Sequence, residues 1–194
     1  MTVDFIRAKG VTSIGVSHLI RHPDSPVVGA TQISASLALG PYGFGAQFLI
    51  HGDASLVLPT RRKPRRTDGL WAHTCLELFL KPAGSEHYFE FNFAPSTLWA
   101  AYALDGYRSG MEPLHMAAPS FNASPLKKSD IFLLRAQMDW HGREKVKSWQ
   151  VGLSAVIETT SGERSYWAVR HPPGKPDFHH PDCFALELPA PDDA

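Results

Sequence analysis

Two glutamates carry the first chemical question. Glu77 lies in TCLELFL (74–80) and Glu90 in HYFEFNF (87–93). A pair of carboxylates can act as the acid and the nucleophile or base of glycoside hydrolysis. The same pair can instead orient a ligand, bind a metal, or be structural. A second cluster follows in RHPPGKPDFHHPDCFALEL (170–188), with His171, Asp177, His179, His180 and Asp182. Imidazole and carboxylate suit zinc or a similar ion, and His73 could join them. The spacing D-x-H-H-x-D matches no closed metal geometry. Consecutive His179 and His180 would point to opposite sides of an extended chain, so one alone would face a given site. A loop stiffened by Pro172, Pro173, Pro176 and Pro181, with its histidines bonded to backbone, explains the same residues without a metal. A third set, Met111, His115 and Met116 in GMEPLHM, offers axial haem ligands on composition alone. GxSxG, Walker A, GxGxxG and HExxH are all absent from the sequence.

Strand-like runs bounded by turn residues must position these groups. They cover residues 31–39, 44–52, 74–80, 87–93, 98–104, 130–140, 148–158, 165–170 and 184–188. The connections GPYG, PAGSE, HGREKVK and TSGER carry turn chemistry. No segment holds a 3.6-residue apolar period of any length. Many strands and few or no helices predict an all-β, mostly antiparallel β-sandwich or barrel in one domain spanning residues 1–194, and the sandwich is the expectation taken forward. Softer stretches lie at 59–68 and 112–129.

The central hairpin sorts side chains most sharply. Paired in symmetric register across KPAGSE, Leu80 faces His87, Leu78 faces Phe89 and Leu76 faces Phe91. The opposite face then carries Phe79 with Tyr88, Glu77 with Glu90, and Cys75 with Asn92. A two-residue slip changes the pairs but not the faces, because side chains alternate with period two. Like charges close together on a sheet are destabilising. An arginine, a metal, a shared proton or water must therefore relieve Glu77 and Glu90. Arg135 and Gln137 alternate with apolar neighbours in IFLLRAQMDW, and Arg170 closes SYWAVR. One polar face holding Glu77, Glu90, Asn92, Arg135, Gln137 and Arg170 is the expectation. It would be a ligand site, a buried ion-pair network or a simply wet outer face.

Composition narrows the classes. Hydrophobic residues make up 43% and charged residues 20%, as in an ordinary globular protein. Nineteen basic residues balance nineteen acidic ones, so no bulk field draws nucleic acid. The run RRKPRR (61–66) is a local exception that reads as a solvated loop or a phosphate patch. The first fifteen residues show no secretory h-region, and no apolar run reaches the roughly 20 residues of a membrane span. A cytoplasmic protein with no membrane or nucleic-acid partner is expected. Cys75 and Cys183 read as two packing thiols unless the fold brings them together. The oligomeric state is left open.

Residues 68–111, DGLWAHTCLELFLKPAGSEHYFEFNFAPSTLWAAYALDGYRSGM, resemble the DOMON-like domains of bacteria. These are similar in turn to family-nine carbohydrate-binding modules. The shared pattern is a Trp-containing turn, C-x-E-x-F-L, a short loop, Y-x-E-F-N-F-x-P-S and a following strand with Trp. The tail YWAVRHPPGKPDFHHPDCFALEL fits as well, so the resemblance covers roughly residues 37–188. It implies an immunoglobulin-like or jelly-roll sandwich without catalytic machinery. One face of that sandwich would bind a sugar or b-type haem.

The resulting expectation is a non-catalytic binding domain for a saccharide or cell-wall-derived glycan, with no cofactor. Aromatic rings would stack on the apolar face of the sugar, while carboxylates and amides read its hydroxyls. The expected ligand set is Trp71, His73, Glu77, Glu90, Asn92, Trp99, Tyr107, Arg108, Arg135 and Arg170. Alternatives from other classes are a b-type haem electron carrier and a metal-dependent enzyme using His171, Asp177, His179 and His180. The proline-rich loop is expected to be ordered beside the turn at residues 71–73.

Overall fold

The computed structural model describes residues 11–126, 129–140 and 146–190. Residues 1–10 of the N-terminal stretch and most of the HGREKVK turn lie outside the described residues. In chain order the strands are β1 (Thr12–Arg21), β2 (Ala30–Gly40), β3 (Gly43–Gly52), β4 (Arg65–Arg66), β5 (Cys75–Pro82), β6 (Tyr88–Phe93) and β7 (Leu98–Leu104). They continue with β8 (Glu112–Pro113), β9 (Ser120–Pro125), β10 (Ile131–Asp139), β11 (Ser148–Glu158), β12 (Arg164–Ala168) and β13 (Leu186–Pro189). The helical elements among the described residues are two 3-10 turns, Leu70–Ala72 and Pro181–Cys183.

The main hydrogen-bonded path runs β4-β7-β6-β5-β11-β12-β1-β2-β3-β10-β9, with β8 on β7 and β13 on β11. It curls back on itself into two layers. The first layer holds β4, β7, β6, β5, β11 and β12; the second holds β2, β3, β10 and β9. β1 joins them, pairing with β2 along its length and with β12 at Ile20 and Arg21. All pairings are antiparallel except the short parallel contact of β4 with β7. The all-β sandwich expectation therefore holds, with that one parallel pair added.

Alternation builds the core between the layers. Leu76, Leu78 and Leu80 of β5, Phe89, Phe91 and Phe93 of β6, and Trp149, Val151 and Leu153 of β11 point inward from the first layer. Phe44, Phe48 and Leu134 point inward from the second. Rings meet edge-on across the gap, Phe44 on Phe91 at 4.7 Å and Phe93 on Phe121 at 6.2 Å between centroids. Such packing suits aromatic quadrupoles and fills volume that branched aliphatics would leave.

The β5–β6 register is slipped two residues from the symmetric one. Leu76 pairs with Phe93, Leu78 with Phe91 and Leu80 with Phe89. Glu77 therefore faces Asn92, and Glu90 faces Phe79. The two acids still share a face but sit diagonally, which lessens their repulsion relative to a direct pair.

Four strands, β1, β4, β8 and β9, fall outside the strand-like runs. β1 carries weak alternation and a register shift between Ile14 and Ser17, so its pattern is blurred by a bulge. β8 and β9 form inside the stretch that composition marks as soft. β12 is shorter than the run that suggests it, ending at Ala168 before the chain bends.

Candidate functional site

The outward face of the first layer is roofed rather than open to water. A second apolar cluster lies on it, joining Leu70, Cys75, Phe79, Tyr88, Tyr102, Phe178 and Phe184. The roof is the proline-rich loop. Phe184 packs edge-on against Phe79 and Tyr88, at 5.9 and 5.3 Å between ring centroids. Phe178 tilts against Tyr166 at 6.2 Å. Between floor and roof remains a cavity of about 550 Å³. Glu77, Glu90 and Val156 contribute to its floor, and Trp71, Tyr166 and Phe178 are its aromatic walls. Arg108, Arg164, Met111 and His179 also border it. The loop and the Trp71 turn thus meet at one cavity, as expected.

Each polar group on the floor is set by its strand. Ser154 of β11, opposite Glu77, donates to Glu77 Oε2 at 3.2 Å. Asn92, two residues along the same face as Glu90, donates its amide to Glu90 Oε1 at 2.6 Å. The Cys75 thiol points to Asn92 Oδ1 at 3.8 Å. Glu90 Oε2 is left buried with no hydrogen-bond partner. Both acids are almost wholly buried, at 3% exposure each. Burial, and then the charge of Glu90, hold the Glu77 carboxyl well above the usual carboxylate range. Burial also raises Glu90, against opposing contributions from Asn92 and the Arg108 charge. Desolvation disfavours the ionised form of each acid, and does so most strongly at Glu77.

A relay from the roof fixes the neighbouring imidazole. The Arg108 backbone N–H donates to the Tyr88 hydroxyl at 3.3 Å. That leaves the Tyr88 proton for His179 Nδ1, 2.8 Å away. Burial, and next the Arg108 charge, hold the His179 pKa down to about 4, so the ring is neutral near pH 7. With Nδ1 accepting, its single proton sits on Nε2. Nε2 stands 3.8 Å from Glu90 Oε2. That is too long for a hydrogen bond, and a neutral ring makes no ion pair.

Arg108 and Asp177 lock the roof to the sheet. Arg108 adopts a left-handed backbone with φ 50, which is uncommon for a residue with a side chain. Its Nε and Nη2 donate to Asp177 Oδ1 at 3.2 and 2.7 Å. Tyr107 donates to Asp177 Oδ2 at 2.5 Å, and the His179 backbone N–H donates to Oδ1 at 3.1 Å. Burial opposes ionisation of Asp177, but these hydrogen bonds outweigh it and hold the carboxyl below its usual range.

Several residues of the expected set lie elsewhere. Trp99 faces the core at 3% exposure, because it pairs with Phe93 and shares the inward side of β7 with Ala101 and Ala103. Both sides of β7 are apolar, so alternation alone cannot orient it. Arg135 and Gln137 lie on the outward face of the second layer, the opposite side of the sandwich. Alternation assigns faces within a strand but not the layer that a strand joins. Arg170 is exposed beyond the end of β12, where the strand alternation has stopped. His73 is exposed and hydrogen-bonds Glu158 at 2.8 Å outside the cavity. Asn92 is fully buried and acts through Glu90. Tyr107 is exposed and braces Asp177.

The metal and haem candidates also disperse. His180 accepts from the Asp182 N–H and caps the second 3-10 turn, while His171 bonds the Ile20 carbonyl through Nε2 at 2.8 Å. Among the described residues, no three of His, Cys, Asp and Glu are grouped to hold a metal ion. Met116 packs against the core, Met111 borders the cavity and His115 is exposed. Those three do not converge, so they do not fit a haem. Cys75 and Cys183 are free thiols, and the Cys183 thiol, held between the carbonyls of Arg170 and Asp177, is pushed up to about 12, chiefly by burial. Ser154 and Arg164 were not anticipated. The position of Ser154 between Leu153 and Ala155 in an otherwise apolar strand was the available signal.

No protein-family model and no curated protein sequence matches the chain. Among solved structures it is similar to a Bacteroides uniformis protein described as carbohydrate-binding, with a TM-score of 0.62 and 13% identity over 88% of this chain and 84% of that one. It is also similar to a family-nine carbohydrate-binding module from Caldicellulosiruptor kristjanssonii, in complex with cellotriose, with a TM-score of 0.52 and 10% identity over 83% and 75% of the two chains. At such identities the likeness is one of fold, an all-β frame shared with proteins named for carbohydrate binding.

Proposed function

We propose that the roofed cavity over the first layer binds a saccharide without transforming it. One observation carries this reading. His179 Nε2 presents a fixed donor, Glu90 Oε2 presents an unpartnered buried acceptor, and they stand 3.8 Å apart. A hydroxyl oxygen about 2.8 Å from each would accept from one and donate to the other. An ammonium cannot accept, and a carboxylate cannot donate, so the gap selects for a hydroxyl. Trp71, Tyr166 and Phe178 supply rings for the apolar face of a sugar. The likeness of fold to carbohydrate-binding proteins supports the same reading. Placement among DOMON-like domains is the finer form of this proposal.

Burial acting on both acids in the same direction supports binding rather than hydrolysis. Hydrolysis by a carboxylate pair needs environments that push the two pKa values apart. Here burial raises both.

Trp71 is 41% exposed at the rim, so a sugar seated against it should change its emission, and a Trp71→Phe control subtracts the other four tryptophans. Titration with glucose, galactose, mannose, N-acetylglucosamine and cellotriose should change that emission for at least one sugar. Glu90→Gln should then weaken the responding sugar about tenfold or more, because it puts an amide donor where the buried acceptor stood. No response to any of the five sugars, or undiminished affinity in Glu90→Gln, would overturn the proposal. So would sugar silence together with a Soret band on addition of haemin.

A further inference from the structure

The outward face of the second layer holds a separate trough of about 580 Å³. Small residues, Ser36 and Ala38 of β2 beside Gly45 of β3, contribute to its floor, and the apolar side chains of Val16 and Leu49 also border it. Amides from Gln47, Gln137 and Asn122 stand over it. Arg135 is the one charged residue among those bordering it, and no carboxylate does. The Arg135 Nε donates to Gln47 Oε1 at 2.6 Å, which holds the guanidinium over the sheet. Among the described residues it has no acidic partner. One residue of the RRKPRR run, Arg61, reaches the edge of the trough. Arg61 Nη2 donates to the carbonyl of Phe121, at the β9 border of the trough, at 3.4 Å. Arg61, Arg62, Lys63 and Arg65 are all exposed, and none pairs with a carboxylate among the described residues. Arg66, by contrast, is paired with Asp68 at 2.8 Å.

We propose that this trough binds an anionic polysaccharide, a glycan chain bearing uronate carboxylates. A planar guanidinium suits a carboxylate, while amides and serine hydroxyls suit sugar hydroxyls. Arg61, exposed at the β9 border, extends the favourable potential to a further charge on the same chain. A nucleic acid fits less well. Single-stranded binding uses aromatic stacking platforms, and the one ring bordering the trough, Phe121, packs inward on Phe93. This site is independent of the cavity on the first layer.

Calorimetric titration of the full chain with a galacturonate hexamer tests the proposal, with the methyl-esterified hexamer as the uncharged control. The charged hexamer should bind and the ester should not, with affinity falling as salt is raised. Arg135→Gln should lower affinity about tenfold or more. Gly45→Val should abolish binding with the melting curve kept, because a Cβ at Gly45 meets open space and fills the floor. Glu90→Gln should leave this binding unchanged. Equal binding of the ester, undiminished binding in Arg135→Gln or Gly45→Val, or tighter binding of a single-stranded DNA oligomer would overturn the assignment.

Discussion

The two outward faces of this sandwich begin alike and end differently. Each is the side of a sheet turned away from the core, with polar residues set among apolar ones. Over the first layer, a loop anchored by Phe178, Phe184 and the Arg108–Asp177 pair turns the surface into a cavity. Acids on its floor lose water, and the nearest imidazole loses its affinity for protons. Over the second layer nothing among the described residues closes the face. Arg135 stays half-buried beside a glutamine. A roof, more than the identity of the floor residues, decides which polar groups become chemically unusual.

The strongest way to break the contrast is to remove the roof. Phe178→Ala should cost about 3 kcal/mol by chemical denaturation, in the range for deleting a buried aromatic ring. Trp71 emission should shift toward that of a wetter environment in the same variant.

Acid should separate the faces next. His179 titrates near 4 when folded and near 6.5 when unfolded. As pH falls from about 6.5 to 4, the unfolded chain takes up the proton first, so stability drops by up to about 3 kcal/mol. His179→Gln should flatten that part of the pH–stability curve. A wild-type curve flat across this window would show the imidazole to be solvated.

The acids act with the opposite sign. Glu77 keeps its proton in the fold to higher pH than in the unfolded chain. Stability is therefore lost as pH rises from about 4.5 through the raised folded value. Glu77→Gln should raise the melting midpoint at pH 8 by roughly 2–4 °C, with little gain below pH 4. The matching change on the open face, Gln137→Ala, should move stability by less than about 0.5 kcal/mol.

Much of this frame was legible in sequence. The β7 and β11 bounds match the runs that suggest them, and alternation in β5 and β6 places Glu77, Glu90, Asn92 and Tyr88 on one side despite the slipped register. Arg135 shows where alternation stops being informative: its strand pairs with β3 and β9, a nonlocal choice made by core packing. Trp99 shows a second limit, since a strand apolar on both sides has no preferred inward face. His179 was visible only as one of several histidines in a loop. Its role depends on Tyr88, 91 positions away, and on the backbone of Arg108.

The most direct test is a crystal structure with the sugar that gives the largest Trp71 response. The account predicts a ligand hydroxyl oxygen within hydrogen-bonding distance of both Glu90 Oε2 and His179 Nε2, under the Phe178 roof. A sugar bound elsewhere, with that gap left unbridged, would contradict it.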